Sequence, residues 1–91
     1  MPEQLHVVIS GLVQGVGYRH ATYRRALECG VTGWVRNLPN GDVEAVFQGD
    51  RATVDRMLQW CQDGPALARV ERVQEIWETP SENLDHFQIV F

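Results

Sequence analysis

A chain of 91 residues, 44% apolar and 22% charged, has the composition of an ordinary globular protein, expected here as a single domain spanning residues 1–91. Its formal net charge of −4 argues against nucleic acid or an anionic membrane as partner, because both call for a positive field or a large basic patch. No apolar run approaches the ~20 residues that span a bilayer, and Met1-Pro2-Glu3-Gln4 has neither a basic leader nor a long apolar stretch, so a cytoplasmic protein without a signal peptide is expected.

Leu5 to Gly11 reads as a strand. Its apolar residues run together instead of alternating, which suits a central position in a sheet. Leu12 to Gly17 is a glycine-rich loop. From Tyr18 to Cys29 the pattern turns helical, with Tyr18, Thr22, Ala26 and Cys29 recurring at helical spacing and Gly30 as the stop. Val31 to Leu38 and Asp42 to Gln48 are two strands joined through Pro39-Asn40-Gly41, whose Asn-Gly pair signals a hairpin. Asp50 is placed to cap a second helix carrying Val54, Met57, Leu58 and Cys61 on one face, and Gly64-Pro65 ends it. Arg69 to Glu78 is a fourth strand. Val70 and Val73 break the period of two there, which predicts a bulge or kink. Pro80 to Asp85 is a loop, and His86 to Phe91 is a short strand with Phe87, Ile89 and Phe91 on one face.

The order β-α-β-β-α-β is that of the split βαβ. The fold class is therefore α+β, a ferredoxin-like sandwich with an antiparallel sheet and two helices on one face. In this plan the helices run antiparallel, so Cys29 and Cys61, each near a helix C-terminus, fall at opposite ends of the layer. A disulfide needs Cα atoms within about 7 Å, so free thiols are predicted.

The chemistry concentrates at Gln14-Gly15-Val16-Gly17-Tyr18-Arg19, between a strand and a helix. Two glycines permit backbone angles that turn successive N–H groups toward one point. The helix adds its free N–H groups and the positive end of its dipole. Arg19 can reach back with a guanidinium that meets phosphate oxygens two at a time. The spacing alone is also compatible with a tight turn that binds nothing. It is neither a nucleotide-binding Walker loop nor a dinucleotide fingerprint, since no Gly-Lys-Ser/Thr follows and His20 holds the third glycine position. Asn37 ends the second strand. It reads either as a turn former or as an amide presented to the site. In a βαβ unit the first and second strands are parallel, so Asn37 should lie at the same sheet end as the glycine turn and converge with Arg19.

Ile9-Ser10-Gly11-Leu12-Val13-Gln14-Gly15-Val16-Gly17-Tyr18-Arg19 resembles the first signature of the acylphosphatase family. Gly33-Trp34-Val35-Arg36-Asn37, followed by Gly41, Val43 and Gly49, resembles the second. The likeness covers essentially the whole chain. It implies hydrolysis of acyl phosphates to a carboxylate and inorganic phosphate, with Arg19 and the backbone N–H groups of Gln14 to Arg19 binding the phosphoryl group and Asn37 positioning the water. It implies no metal and no cofactor, a small acyl phosphate as substrate, and inorganic phosphate as product and competitive inhibitor. A monomer is expected. Tyr18 stands where the family commonly has Phe; the ring can pack similarly. His20, Trp34 and Arg36 are near the site without an assigned role.

The chemistry asks for little more. The leaving carboxylate belongs to an acid of pKa roughly 4–5, so it departs without a general acid. Asn37 cannot act as a base at neutral pH. A flat rate profile around neutrality is expected, whereas a sharp histidine-like dependence would implicate His20. The competing function is a non-catalytic ferredoxin-like module that binds an anion or RNA. The RNA version needs paired aromatics on the open sheet, which Val7-Val8-Ile9 and Val43-Glu44-Ala45-Val46-Phe47 do not supply. A third possibility is the acylphosphatase-like unit of larger carbamoyl-transfer proteins, against which the short chain speaks. Glu71, Glu75, Glu78 and Asp85 are expected as solvated charges, and Trp60 and Trp77 as packing residues. No His, Cys or Asp cluster has metal-ligand spacing.

Overall fold

The structure is a computed structural model that describes residues 2–91. Its elements are β1 (Glu3–Leu12), α1 (Tyr18–Cys29), β2 (Thr32–Asn37), β3 (Val43–Gly49), α2 (Arg51–Asp63), β4 (Arg69–Glu78) and β5 (Phe87–Ile89). One sheet runs in the order β4-β1-β3-β2-β5. β1 is interior, antiparallel to β3 on one side and to β4 on the other. Its Leu5, Val7 and Ile9 are fully buried while His6, Val8 and Ser10 are half-covered. The pleat thus sorts a continuous apolar run into a face under the helices and a more open one.

α1 packs over β2 and β5, and α2 over β1, β3 and β4. Val54, Met57, Leu58 and Cys61 of α2 meet Tyr18 and Ala26 of α1 above Val35, Val43, Ala45 and Phe47. Burying a side chain of that size contributes about 1.5–3 kcal/mol, which is how helices of mixed composition are held to the sheet. Asp50 caps α2, its Oδ1 accepting the Thr53 N–H at 2.9 Å. Gly30 ends α1 in the left-handed region, with φ 79°, and its N–H donates to Ala26 O at 2.9 Å.

The broken period in β4 is a bulge. Ser10 faces Arg72 and Gly11 faces Val70, so Glu71 is the extra residue. The distortion requires glycine at position 11. Its φ is 127°, and a Cβ there would stand 2.2 Å from Arg69 O.

The four strands β4-β1-β3-β2 pair antiparallel, as the predicted fold class requires, and the short final strand β5 adds to them parallel to β2, with Gly33 opposite Phe87 and Val35 opposite Ile89. The cause lies in the chain between β4 and β5. β4 is the strand at one edge and β2 lies near the other, so the chain must cross the sheet end to reach it. Buried Gln48, near the end of β3, holds this crossing. Its Nε2 donates to Glu82 O at 2.8 Å and its Oε1 accepts the Leu84 N–H at 3.0 Å. β5 therefore starts where β2 starts and runs toward the glycine turn. Cys29 and Cys61 are both free thiols, as expected. Among the described residues no helix is long and apolar enough to cross a membrane.

Candidate active site

The turn between β1 and α1 is shaped by Gly15 and Gly17, at φ 77° and 81°, with Val16 between them at negative φ. Alternating hands along a turn bring neighbouring N–H groups to the same side. Gly17 is the N-cap residue of α1, and no side chain caps the helix. The first backbone bond of α1 runs from the Ala21 N–H to Gly17 O at 3.0 Å. The N–H groups of Tyr18, Arg19 and His20 come before it and so lack helical acceptors. A helix start left open in this way, with a guanidinium in its first turn, is suited to an oxyanion.

The sequence-predicted residues come together. Gln14, Gly15, Gly17, Tyr18, Arg19 and Asn37 line one pocket of about 280 Å³. Val16 does not line it; its side chain is half-buried and packs against the core. Four further residues, Val13, His20, Ile89 and Phe91, complete the wall. The Arg19 guanidinium lies 5.3 Å from the centre of the Phe91 ring. The alternation of Phe87, Ile89 and Phe91 marks an apolar face in the sequence, but only the parallel pairing with β2 brings that segment to the pocket.

Asn37 closes β2 opposite Val43. The loop after it is built without its side chain. The Leu38 N–H donates to Asp42 O at 2.8 Å, the Gly41 N–H to Leu38 O at 3.2 Å, and the Asp42 N–H to Asn40 Oδ1 at 3.0 Å. Asn40 is the turn former. Asn37 Oδ1 is buried and has no hydrogen-bond partner among the described residues. An orphaned buried acceptor is uncommon in a folded protein and calls for an explanation.

Gln14 contributes in a way that the spacing does not reveal. Its Nε2 donates to both Leu38 O and Asp42 O at 2.8 Å, lashing the glycine turn to the neck of the β2–β3 loop. This fixes the cradle relative to Asn37. Tyr18 turns inward. Its ring is buried, and its hydroxyl donates to Cys61 O at 2.7 Å. Burial first, and then the neighbouring Cys61, pushes the phenol far above its ordinary range, so it stays neutral. Relative to Phe, the hydroxyl has found a partner, while the backbone N–H at the same position belongs to the helix start. Among the described residues no three His, Cys, Asp or Glu side chains gather to hold a metal ion.

Fold and pocket together define an α+β sandwich whose site sits at a glycine-rich strand–helix turn. A sequence model of the acylphosphatase family matches residues 5–89. An acylphosphatase of Roseiflexus sp. (strain RS-1) is 51% identical over 86 residues, covering 94% of this chain and 92% of that protein. The solved acylphosphatase from Coxiella burnetii superimposes with a TM-score of 0.93 at 36% identity, over 98% of this chain and 93% of that one. The acylphosphatase from Bacillus subtilis gives 0.94 at 26% identity, over 98% and 99%. The chain belongs to the acylphosphatase family.

Proposed function

We propose that this chain hydrolyses acyl phosphates by direct attack of water on phosphorus, with no metal and no phosphoenzyme. The observation that carries the reading is the meeting of an uncapped helix start, Arg19 and Asn37 in one pocket. Family membership supports the substrate class and sets aside the non-catalytic anion- or RNA-binding alternative.

The phosphoryl group sits in the turn, its oxygens on the N–H groups of the cradle and on the Arg19 guanidinium. Charge spreads over those oxygens in a loose transition state, so the protein's tasks are positioning and charge stabilisation. The Asn37 side-chain amide hydrogen-bonds the attacking water and holds it in line with the scissile bond. A bond forms between water oxygen and phosphorus, and the bond from phosphorus to the acyl oxygen breaks with its electron pair going to the carboxylate. The water proton passes to a phosphate oxygen. Inorganic phosphate is the product and competes for the cradle.

Benzoyl phosphate hydrolysis in EDTA tests the reading. Wild type should be active, and Arg19→Ala should lose both affinity and turnover. An Arg19→Ala protein with full activity, or a wild type active only with added metal, would overturn it.

A further inference from the structure

A second group of cations lies on the helix layer, away from the glycine turn. The chain has eight arginines and no lysine. Arg36 is held by Glu44, and Arg51 by Glu3, Asp55 and the Trp77 ring. Arg24, Arg25 and Arg56 are different. They line two clefts that share Arg25 and Trp60, one of about 330 Å³ with Arg56, Gln59 and Asp63, the other of about 290 Å³ with Ala21, Arg24, Glu28 and Pro65. Among the described residues Arg24 and Arg56 have no carboxylate within ion-pair distance. Arg25 has only a long contact, 3.5 Å from Nη1 to Glu28 Oε1. Its Nε is buried without an acceptor.

We propose that the groove between α1 and α2 is a second binding site, for a planar aromatic carboxylate whose charge meets Arg25 and whose ring lies on Trp60. The half-exposed Arg25 side chain offers the paired N–H donors of its two Nη atoms, which match the two oxygens of a carboxylate. Three arginines line the two clefts with two carboxylates, Glu28 and Asp63. Trp60 supplies a flat apolar surface, and its position is fixed in advance. Its ring centre is 5.5 Å from that of Tyr18. Tyr18 is in turn held by its bond to Cys61 O and by the backbone of Gly64, where an added Cβ would come within 2.7 Å of the ring.

Benzoate is the probe, read by NMR at the Trp60 indole N–H, which is assigned with Trp60→Phe. Benzoate should shift that resonance saturably. Acetate, which lacks the ring, and benzyl alcohol, which lacks the charge, should shift it less than a tenth as much at equal concentration. Arg25→Gln and Arg56→Gln should each weaken benzoate binding, the former at least tenfold, while amide dispersion shows both variants folded. Equal shifts from acetate, unchanged affinity in both variants, or perturbation confined to Gly15 and Gly17 would overturn the proposal. The last result would place benzoate in the phosphate cradle alone. The test is independent of hydrolysis, so its failure leaves the proposed activity standing.

Discussion

Replacing Asn37 with alanine separates a functional amide from a structural one. A turn-forming asparagine holds its loop through side-chain hydrogen bonds, and losing them costs stability. Here the loop's bonds are made by Leu38, Gly41, Asp42 and Asn40, and the backbone of Asn37 keeps its place opposite Val43 whatever the side chain. The Asn37 Oδ1 is buried with no partner among the described residues. A buried polar group left unpaired costs about 1–3 kcal/mol. Removing it should therefore leave stability unchanged or raise it by up to ~1 kcal/mol, a Tm gain of no more than about 4–8 °C for a chain of this size. Turnover should behave in the opposite way. If Asn37 aligns the attacking water as proposed, its loss should lower kcat for benzoyl phosphate about 100-fold, with KM changed only a few-fold. Thermal unfolding and initial rates on one preparation settle both. A variant destabilised by ~2 kcal/mol or more with kcat intact would refute the reasoning, because Asn37 would then be a structural residue.

Gln14→Ala removes two hydrogen bonds to backbone carbonyls and should cost about 1–3 kcal/mol in urea unfolding. Because those bonds tie the cradle to the loop after Asn37, kcat/KM should also fall by about tenfold in the protein that remains folded. Cys61 is fully buried, and burial pushes its thiol up to about 12. A thiol reagent at neutral pH should modify half-buried Cys29 in the native protein and reach Cys61 only on unfolding; rapid native labelling of both would contradict the packing. Burial alone would raise the Glu44 carboxyl, but hydrogen bonds from His6 and Arg36, each 2.6 Å, outweigh it and hold the group below its ordinary value. A lowered carboxyl stabilises the fold above its unfolded pKa and ceases to do so as pH falls through its folded one. The stability gap between wild type and Glu44→Gln should be full at neutral pH and close in acid. A gap that widens in acid would show the opposite sign.

Local rules carried most of the fold. Asp50, Gly30 and Gly64 set helix ends where capping chemistry says they should, and the three-residue step from Val70 to Val73 marked the bulge at Glu71. The orientation of β5 was not legible, because it depends on a crossing held by Gln48 against Glu82 and Leu84, 34 and 36 residues further along the chain. The site divides in the same way. The glycine turn, Arg19 and Asn37 were readable as motif and sheet end. The contribution of Ile89 and Phe91 follows from the parallel pairing of β5, and that of the Gln14 amide from a loop some 24 residues away along the chain. Asn37 itself was ambiguous in sequence. What distinguishes it from a turn former is that Asn40 already does that work.

The central claim is that water attacks phosphorus while the phosphoryl group rests in the Gln14–Arg19 turn. Hydrolysis of benzoyl phosphate in ¹⁸O-enriched water, with products analysed by mass, tests it most directly. The label should appear in inorganic phosphate and not in benzoate. Label in benzoate would mean attack at the acyl carbon, and would contradict both the cradle and the alignment assigned to Asn37.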